Sequence, residues 1–536
     1  MLPPRKNVKD VNSSLADVRR KRQDAADDIR KKSKDDQMLK RRFMDESDDE
    51  SETAPNTTGK QRVQADVGML EQYAMEVMNS QDYATVFNAA HCLRKIVSKE
   101  RNPPIDRLID TGVVPFLLLH LKQFDNPDLQ FESSWTLTNI ASGTAQHTEL
   151  VVRLGGIAVF SQLLSSHDER VVEQGMWALG NIAGENANYR DLVLRHGVLA
   201  GVLNKLSGTS NQSLLANGTW VISNLCRGKN PAPDFAIIRD AIPALAAVLN
   251  FTDSVGALTD ACWAFSYIAD SDEEQIAAVI ESGAVQRLVE LLQHPDTNIQ
   301  TPAMRALGNI VTGTTAQTQT VLDCGFLSVV GTLLRSVKEN IRKEACWCLS
   351  NILAGTASQV AQVIDANLLP LVLNAVSLGE ARTRKEASWC IINLLTGGSD
   401  QQVRFAIGQG CIPPLCEVLS HSDAKLVTSA LEAHLRILKL GQFANGSNPH
   451  AEFIETAGGM DKIEKLQHHR NDTIYKLANQ IVTEYFSDDS TPEDAEDQNM
   501  MPTATQTGFT FSTEPAKSFA FQAPGQASHA QRMFAF

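Results

Sequence analysis

The chain has 536 residues, 43% of them hydrophobic, and a formal net charge of −14. That is enough apolar material for a large core, and an acidic body argues against direct nucleic-acid binding, which needs a basic face. No apolar run reaches the roughly 18–20 residues that span a bilayer, and the charged N-terminus lacks the apolar stretch of a secretory signal. Neither a membrane nor a nucleic acid is therefore an expected partner.

The charge is uneven. Residues 1–43 carry 14 Lys/Arg against 7 Asp/Glu, and the remainder carries 35 against 56. A basic arm on an acidic body suggests self-association or a basic partner. Residues 14–43 have a sparse apolar series, Leu15, Val18, Ile29, Met38 and Leu39, compatible with a basic helix laid on an acidic surface. Lys40-Arg41-Arg42-Phe43 follows, then an acidic run through Glu52. Residues 1–68 are predicted to be disordered in isolation, with 44–68 a flexible linker.

A repeating body runs from about Met69 to Phe486. Its marker is a tryptophan followed four residues later by asparagine: Trp135 and Asn139, Trp177 and Asn181, Trp220 and Asn224, Trp347 and Asn351, Trp389 and Asn393. Trp263 keeps the register with Tyr267 in the Asn place, and Arg305 with Asn309 fills the remaining gap. The steps from Trp135 to Trp389 are 42, 43, 43, 42, 42 and 42 residues, and all six Trp of the chain hold this one position. A period of that size marks a helical solenoid of the armadillo or HEAT kind. Ten units are counted. The first has His91 and Lys95 at the ladder places, the ninth Glu432 and Arg436, and the tenth Tyr475 and Asn479. Turns at Gly112, Gly197, Gly283, Gly325 and Gly410 open a second apolar helix in their units.

On a helix, i and i+4 share a face. The apolar residues two and five after each Trp, such as Leu179 and Ile182, lie on the other side and supply the core stripe. The Trp/Asn row is therefore expected to open onto solvent, each Asn offering a donor and an acceptor to the backbone of an extended peptide. Three residues before the Trp place stand Glu132, Gln174, Asn217, Asp260, Pro302, Glu344 and Glu386. Four carboxylates and no base beside indole faces suit Lys and Arg side chains. The ladder is intact at both flanks and altered in the middle, at Tyr267 and Arg305, which predicts two separate peptide sites.

The tail from Ser487 is acidic and then Phe-rich, from Phe509 to Phe536, and is expected to be disordered. Nine Cys without paired CxxC spacing read as buried hydrophobes of a reducing compartment. No phosphate loop, HExxH or GxSxG is present, so neither an enzyme nor a metal or cofactor site is expected.

With the arm, the repeats and the mid-array changes, the chain resembles the importin alpha (karyopherin alpha) family over about residues 10–497. Ser133-Ser134-Trp135-Thr136-Leu137-Thr138-Asn139-Ile140-Ala141-Ser142-Gly143-Thr144 and the Lys-Arg-Arg-Phe at 40–43 carry the resemblance most specifically. It implies an all-α, right-handed superhelical solenoid of about ten armadillo repeats. The third helices line a concave groove for nuclear localisation signals. The implied major site is Trp135, Asn139, Trp177, Asn181, Trp220 and Asn224. Gly143, Thr148 and Glu185 (where the family has Asp) would hold the key Lys, and Gln174, Asn217 and Asp260 would add rim contacts. The implied minor site is Arg305, Glu344, Trp347, Asn351, Glu386, Trp389 and Asn393. The arm would contact importin beta through Arg19, Arg20, Lys21 and Arg22 and through Arg30, Lys31 and Lys32, while Lys40, Arg41 and Arg42 would mimic a cargo signal and autoinhibit the major site. The last repeats would bind an export factor of the CAS type. An adaptor of this kind meets the nuclear pore complex indirectly and shuttles between cytoplasm and nucleus. A catenin-like scaffold for adhesion or signalling is the alternative reading; such grooves favour acidic ligands.

Overall fold

The computed structural model describes residues 40–42, 66–99, 102–441 and 448–486. Arm residues Arg19–Lys32, linker residues 44–65 and the tail from Ser487 lie outside the described residues, while the end of the linker enters the 3-10 helix Val67–Met69 capped by Asp66. Among the described residues the regular structure is helical throughout, without a strand. No single helix there is long and apolar enough to cross a membrane.

Ten long helices carry the ladder register: Tyr83–Val97, Pro127–Ala141, Glu169–Glu185, Gln212–Cys226, Val255–Ile268, Thr297–Ile310, Glu339–Leu353, Ala381–Gly397, Ala424–Gly441 and Asp472–Tyr485. Each packs directly against the next in sequence, as a solenoid built from nearest-neighbour interfaces requires. Two shorter helices complete a typical unit. In the third unit, Ala145–Arg153 and Gly156–Leu163 precede Glu169–Glu185. The turn between the first two helices is tight because a left-handed residue closes it. Gly155 and Gly197 sit at φ +84° and +71°, a region open to glycine without steric cost. Asn367 fills the same role at φ +53°.

Several of the ladder helices start at side-chain caps. The oxygens of Asp168, Asn211, Ser254, Asp296 and Asn471 each accept from a backbone N–H of the first turn, which satisfies donors the helix cannot pair. The core stripe is where the pattern places it. Leu179 and Ile182, Ile222 and Leu225, Phe265 and Ile268, Leu349 and Ile352, and their equivalents in the other Trp-register units, are all buried. Nine free cysteines, eight of them buried, belong to the same interior.

Contact between successive ladder helices is closest where an indole meets a glycine. A Cβ added at Gly180 would lie 2.5 Å from Cζ3 of Trp220, and one at Gly308 would lie 2.0 Å from Cζ3 of Trp347 and 2.8 Å from Sγ of Cys348. Each ring thus rests on the backbone of the preceding unit, three residues after that unit's own ladder position. Gly308→Ala is expected to destabilise the fold by about 1–3 kcal/mol through overpacking, read as a lower urea midpoint. Gly408→Ala, with nothing within 4 Å of the added carbon, is the control and should leave the midpoint within about 0.5 kcal/mol of the parent.

Candidate functional site

The ladder asparagines do two things at once. Nδ2 of Asn181 donates to the Thr138 carbonyl at 3.3 Å, Asn224 to Gly180 at 3.0 Å, Asn309 to Ser266 at 2.7 Å, Asn351 to Gly308 at 3.4 Å and Asn393 to Ser350 at 2.6 Å. Each acceptor lies 43 or 44 residues earlier, on the preceding ladder helix. Asn139 reaches the hydroxyl of Ser98 at 3.1 Å. A buried amide must find partners, and here the neighbouring repeat provides one every period.

The row does not simply open onto solvent. Trp135, Trp220, Trp347 and Trp389 are buried, as are all six ladder asparagines, whereas Trp177 and Trp263 are half-buried. The expectation of an exposed row is corrected by two causes. The amides are drawn down to the carbonyls beneath them, and the rings are covered, Trp220 and Trp347 by the glycines described above, Trp135 by Arg94 and Trp220 also by Arg41.

Lys40, Arg41 and Arg42 lie on this face. The Lys40 ammonium donates to the Gly143 carbonyl at 3.0 Å and to Oγ1 of Thr148 at 2.7 Å, and forms an ion pair with Glu185. The backbone of Arg41 is gripped at both polar groups. Its N–H donates to Oδ1 of Asn181 at 2.8 Å, and its carbonyl accepts from Nδ2 of Asn181 at 3.0 Å and from Nε1 of Trp177 at 2.6 Å. With the Thr138 bond, both hydrogens and the oxygen of the Asn181 amide are used. The Arg41 guanidinium stands 4.8 Å from the centre of the Trp220 ring and meets both oxygens of Asp260 at 3.0 Å. Trp177 and Trp220 are 5.8 Å apart and tilted by 54°. Arg42 donates to the Lys99 carbonyl at 3.2 Å.

The acidic row lies deeper than a rim. Glu132, Asp260, Glu344 and Glu386 are all buried, as are Gln174 and Asn217. Two of the carboxylates already hold bases of the solenoid itself. Glu132 accepts from Nε of Arg94 at 2.5 Å and faces Nδ1 of His91 at 3.1 Å, and Arg94 lies 4.2 Å over the Trp135 ring. Glu344 pairs with Arg305 through both oxygens, at 2.9 and 2.5 Å, and with Lys343 at 3.0 Å. Burial alone would raise the Glu344 carboxyl, but Arg305 and Lys343 together hold it down to about 2. So Glu132 and Glu344 are not the bare acceptors for a visiting cation that the sequence pattern suggested, whereas Asp260 takes its base, Arg41, from the arm segment. Asn217 bonds weakly to Ser213 at 3.4 Å, and Oε1 of Gln174 has no protein partner.

At the centre of the array Tyr267 stacks on Trp263 at 5.8 Å, and burial raises its phenol to about 12. Trp347, Asn351, Glu386, Trp389 and Asn393 sit on consecutive ladder helices beyond it. In the ninth unit Arg436 pairs with Asp400. In the tenth, Tyr475 and Asn479 are exposed.

Sequence reasoning missed Arg94, Lys343, the Lys99 carbonyl and the two seating glycines: Arg94 and the glycines meet partners 38 to 40 residues away, Lys343 takes a carboxylate, Glu344, that the pattern gives to the ligand, and the Lys99 contact is on backbone. One signal was available. The run Gly143-Thr144-Ala145-Gln146-His147-Thr148 recurs as Gly313-Thr314-Thr315-Ala316-Gln317-Thr318, and both form capping boxes.

A ladder of indoles and carboxamides carrying an extended basic segment defines an armadillo solenoid of the peptide-binding kind. Residues 101–142, 144–184, 272–312 and 314–354 match the armadillo/beta-catenin-like repeat, 448–503 an atypical armadillo repeat, and 5–91 the importin beta binding domain. The chain is 49% identical over 508 residues to importin subunit alpha-B of Dictyostelium discoideum, covering 94% of this chain and 95% of that protein. It is 40% identical over 520 residues to importin subunit alpha-3 of Arabidopsis thaliana, covering 95% and 96%. A crystal structure of an engineered protein superposes with a TM-score of 0.70 at 25% identity, covering 78% of this chain and 99% of that one. The chain belongs to the importin alpha family and is an adaptor of nuclear protein import.

Burial raises the Asp260 carboxyl to about 6, against the opposing charge and hydrogen bonds of Arg41. Without Arg41 it lies higher still, so seating an arginine releases a proton between about 6 and that higher value. Affinity for an arginine-bearing segment is therefore expected to be level below about pH 6, to rise with pH through the window and to level off again. Asp260→Asn should remove the slope and weaken binding about 10- to 100-fold at alkaline pH. A peptide of residues 36–46, titrated by fluorescence anisotropy against the chain carrying Lys40→Ala, Arg41→Ala and Arg42→Ala, measures both.

Proposed function

We propose that the ladder face binds Lys/Arg-rich nuclear localisation signals, and that the arm joins the loaded adaptor to importin beta while competing for the same face. The observation that carries this reading is the pair of reciprocal hydrogen bonds between Asn181 and the Arg41 backbone. An amide that accepts from one peptide N–H and donates to the same residue's carbonyl recognises extended main chain of any sequence. Selectivity then comes from the flanking seats: carbonyl, hydroxyl and carboxylate for an ammonium at Lys40, and indole with carboxylate for a guanidinium at Arg41.

The major site in this reading comprises Trp135, Asn139, Gly143, Thr148, Gln174, Trp177, Asn181, Glu185, Asn217, Trp220, Asn224 and Asp260. Arg305, Glu344, Trp347, Asn351, Glu386, Trp389 and Asn393 form the minor site. There Arg305, neutralised by Glu344, separates the two ladders and stands ready to meet an acidic or main-chain group of the ligand. Residues 1–68 act as the arm, 69–486 as the solenoid and 487–536 as the tail. The basic clusters Arg19–Arg22 and Arg30–Lys32 contact importin beta, and the last repeats take the CAS-type export factor, so the protein cycles between cytoplasm and nucleus. The work is binding rather than chemistry.

Autoinhibition follows from tethering. A linked competitor experiences a millimolar-range effective concentration, so even a weak mimic excludes cargo until importin beta withdraws it. In the full chain, Lys40→Ala with Arg41→Ala and Arg42→Ala is expected to tighten binding of a labelled Lys-rich peptide about 10-fold or more in the absence of importin beta. Unchanged anisotropy would mean that the arm does not compete. Adding Trp177→Ala and Asn181→Ala to that chain should weaken the peptide at least about 100-fold; retained affinity would place the signal elsewhere.

A further inference from the structure

The lysine seat is built on a turn whose keystone differs from its counterparts. Thr144 caps the Ala145–Arg153 helix and accepts from the His147 N–H, while the Thr144 N–H donates to Nδ1 of His147 at 3.1 Å. The same reciprocal box closes three later units, but there the partner is glutamine. Thr314 donates to Gln317, Thr356 to Gln359 and Ser399 to Gln402, at 2.8, 3.2 and 2.9 Å. Each of those amides passes its Nε2 hydrogen to a backbone carbonyl of the preceding unit, Glu273, Thr315 and Ala357 respectively. His147 instead places Nε2 at 2.6 Å from the carboxylate of Asp106. It is the one box beside a seated ammonium: Gly143, whose carbonyl receives Lys40, would strike Nδ1 of His147 at 2.3 Å if it bore a Cβ.

We propose that His147 is a positioning residue for the lysine seat, and that its imidazole makes lysine affinity depend on pH. This rests on the reading above that basic segments bind here. An imidazole that accepts at Nδ1 and donates at Nε2 is neutral. Protonation turns Nδ1 into a donor, so it no longer accepts the Thr144 N–H. The turn that aims the Gly143 carbonyl and the Thr148 hydroxyl then loses its lock, and a second positive charge stands beside the incoming ammonium.

The surrounding charges are few. Asp106 comes from the Ile105–Asp110 helix, and its neighbour Arg107 is engaged by Glu71. Glu185 approaches through Thr148 at 3.5 Å. The Pro127–Ala141 helix offers Asp128 and Glu132, taken by Arg170 and by Arg94. Gly156–Leu163 carries no charged side chain. From the Glu169–Glu185 helix Arg170 pairs with Asp168, and Glu173 bonds Asn211. On its own helix Glu149 and Arg153 are exposed.

The test isolates the lysine. A peptide of residues 36–46 and its Lys40→Ala version are titrated against the full chain carrying Lys40→Ala, Arg41→Ala and Arg42→Ala, so the ratio of the two affinities removes the Asp260 contribution common to both. In the parent that ratio is expected to fall about tenfold as the pH is lowered and the imidazole takes up a proton. His147→Gln, which restores the partner used by the other boxes, should keep the ratio high and flat. His147→Ala should lower it at every pH. A ratio flat in the parent, or sloping equally in His147→Gln, overturns the proposal while leaving the binding site intact. A ratio near one at all pH values removes the lysine seat itself, and with it the reading on which the proposal stands.

Discussion

The bond from each ladder asparagine to the carbonyl one repeat earlier is the constraint on which the rest depends. A solenoid has no long-range core, so its geometry is set interface by interface. Here the interfaces at Asn139, Asn181, Asn224, Asn309, Asn351 and Asn393 are each pinned by a polar contact of this kind, worth about 0.5–1.5 kcal/mol net, and at Asn224 and Asn351 an indole rests on a glycine beside it. The same contact fixes the amide plane. Once Nδ2 of Asn181 is committed to Thr138, its second hydrogen and its oxygen point to where a peptide backbone lies. Packing and recognition are thus two ends of one functional group.

The buried carboxylates follow a parallel logic. Taking a charge from water is costly unless a partner accompanies it. Glu132 and Glu344 find theirs in Arg94 and Arg305, which come from the solenoid and are permanent. Asp260 finds its partner in Arg41, on the arm, and burial leaves its carboxyl at about 6 even so. The face therefore holds acids already neutralised by the solenoid, Glu132 and Glu344, and acids paired with the arm, Asp260 with Arg41 and Glu185 with Lys40. That division, more than the number of carboxylates, locates where a guanidinium is wanted.

Much of this was legible in the residues. The 42- to 43-residue period, the helical phase of Leu179 and Ile182 against Trp177, and the grouping of Gly143, Thr148 and Glu185 about a lysine all have a sequence signature or a family resemblance behind them. Burial of the ladder did not. Whether Asn181 lies in water or on Thr138 is decided by a backbone carbonyl, which every residue carries and no pattern distinguishes. Arg94 stands outside the ladder register, so its place over Trp135 is invisible until neighbouring helices are superposed. Gly180 and Gly308 occupy equivalent positions, yet a small residue three after a ladder place has many meanings until a ring is found upon it.

The anchoring of Asn181 has a kinetic consequence. Because the Thr138 carbonyl holds the amide from beneath, less rotamer freedom is lost when a chain settles on it, and ordering such side chains otherwise costs about 0.5–1.5 kcal/mol each. A prearranged surface does not wait for its own groups to assemble, so encounter rates vary little from one basic segment to another. On the proposed reading, cargoes that fill the lysine and arginine seats well or badly then differ chiefly in how long they stay. Residence time, set by two side-chain seats beside a fixed main-chain clamp, becomes the quantity by which this surface ranks its ligands.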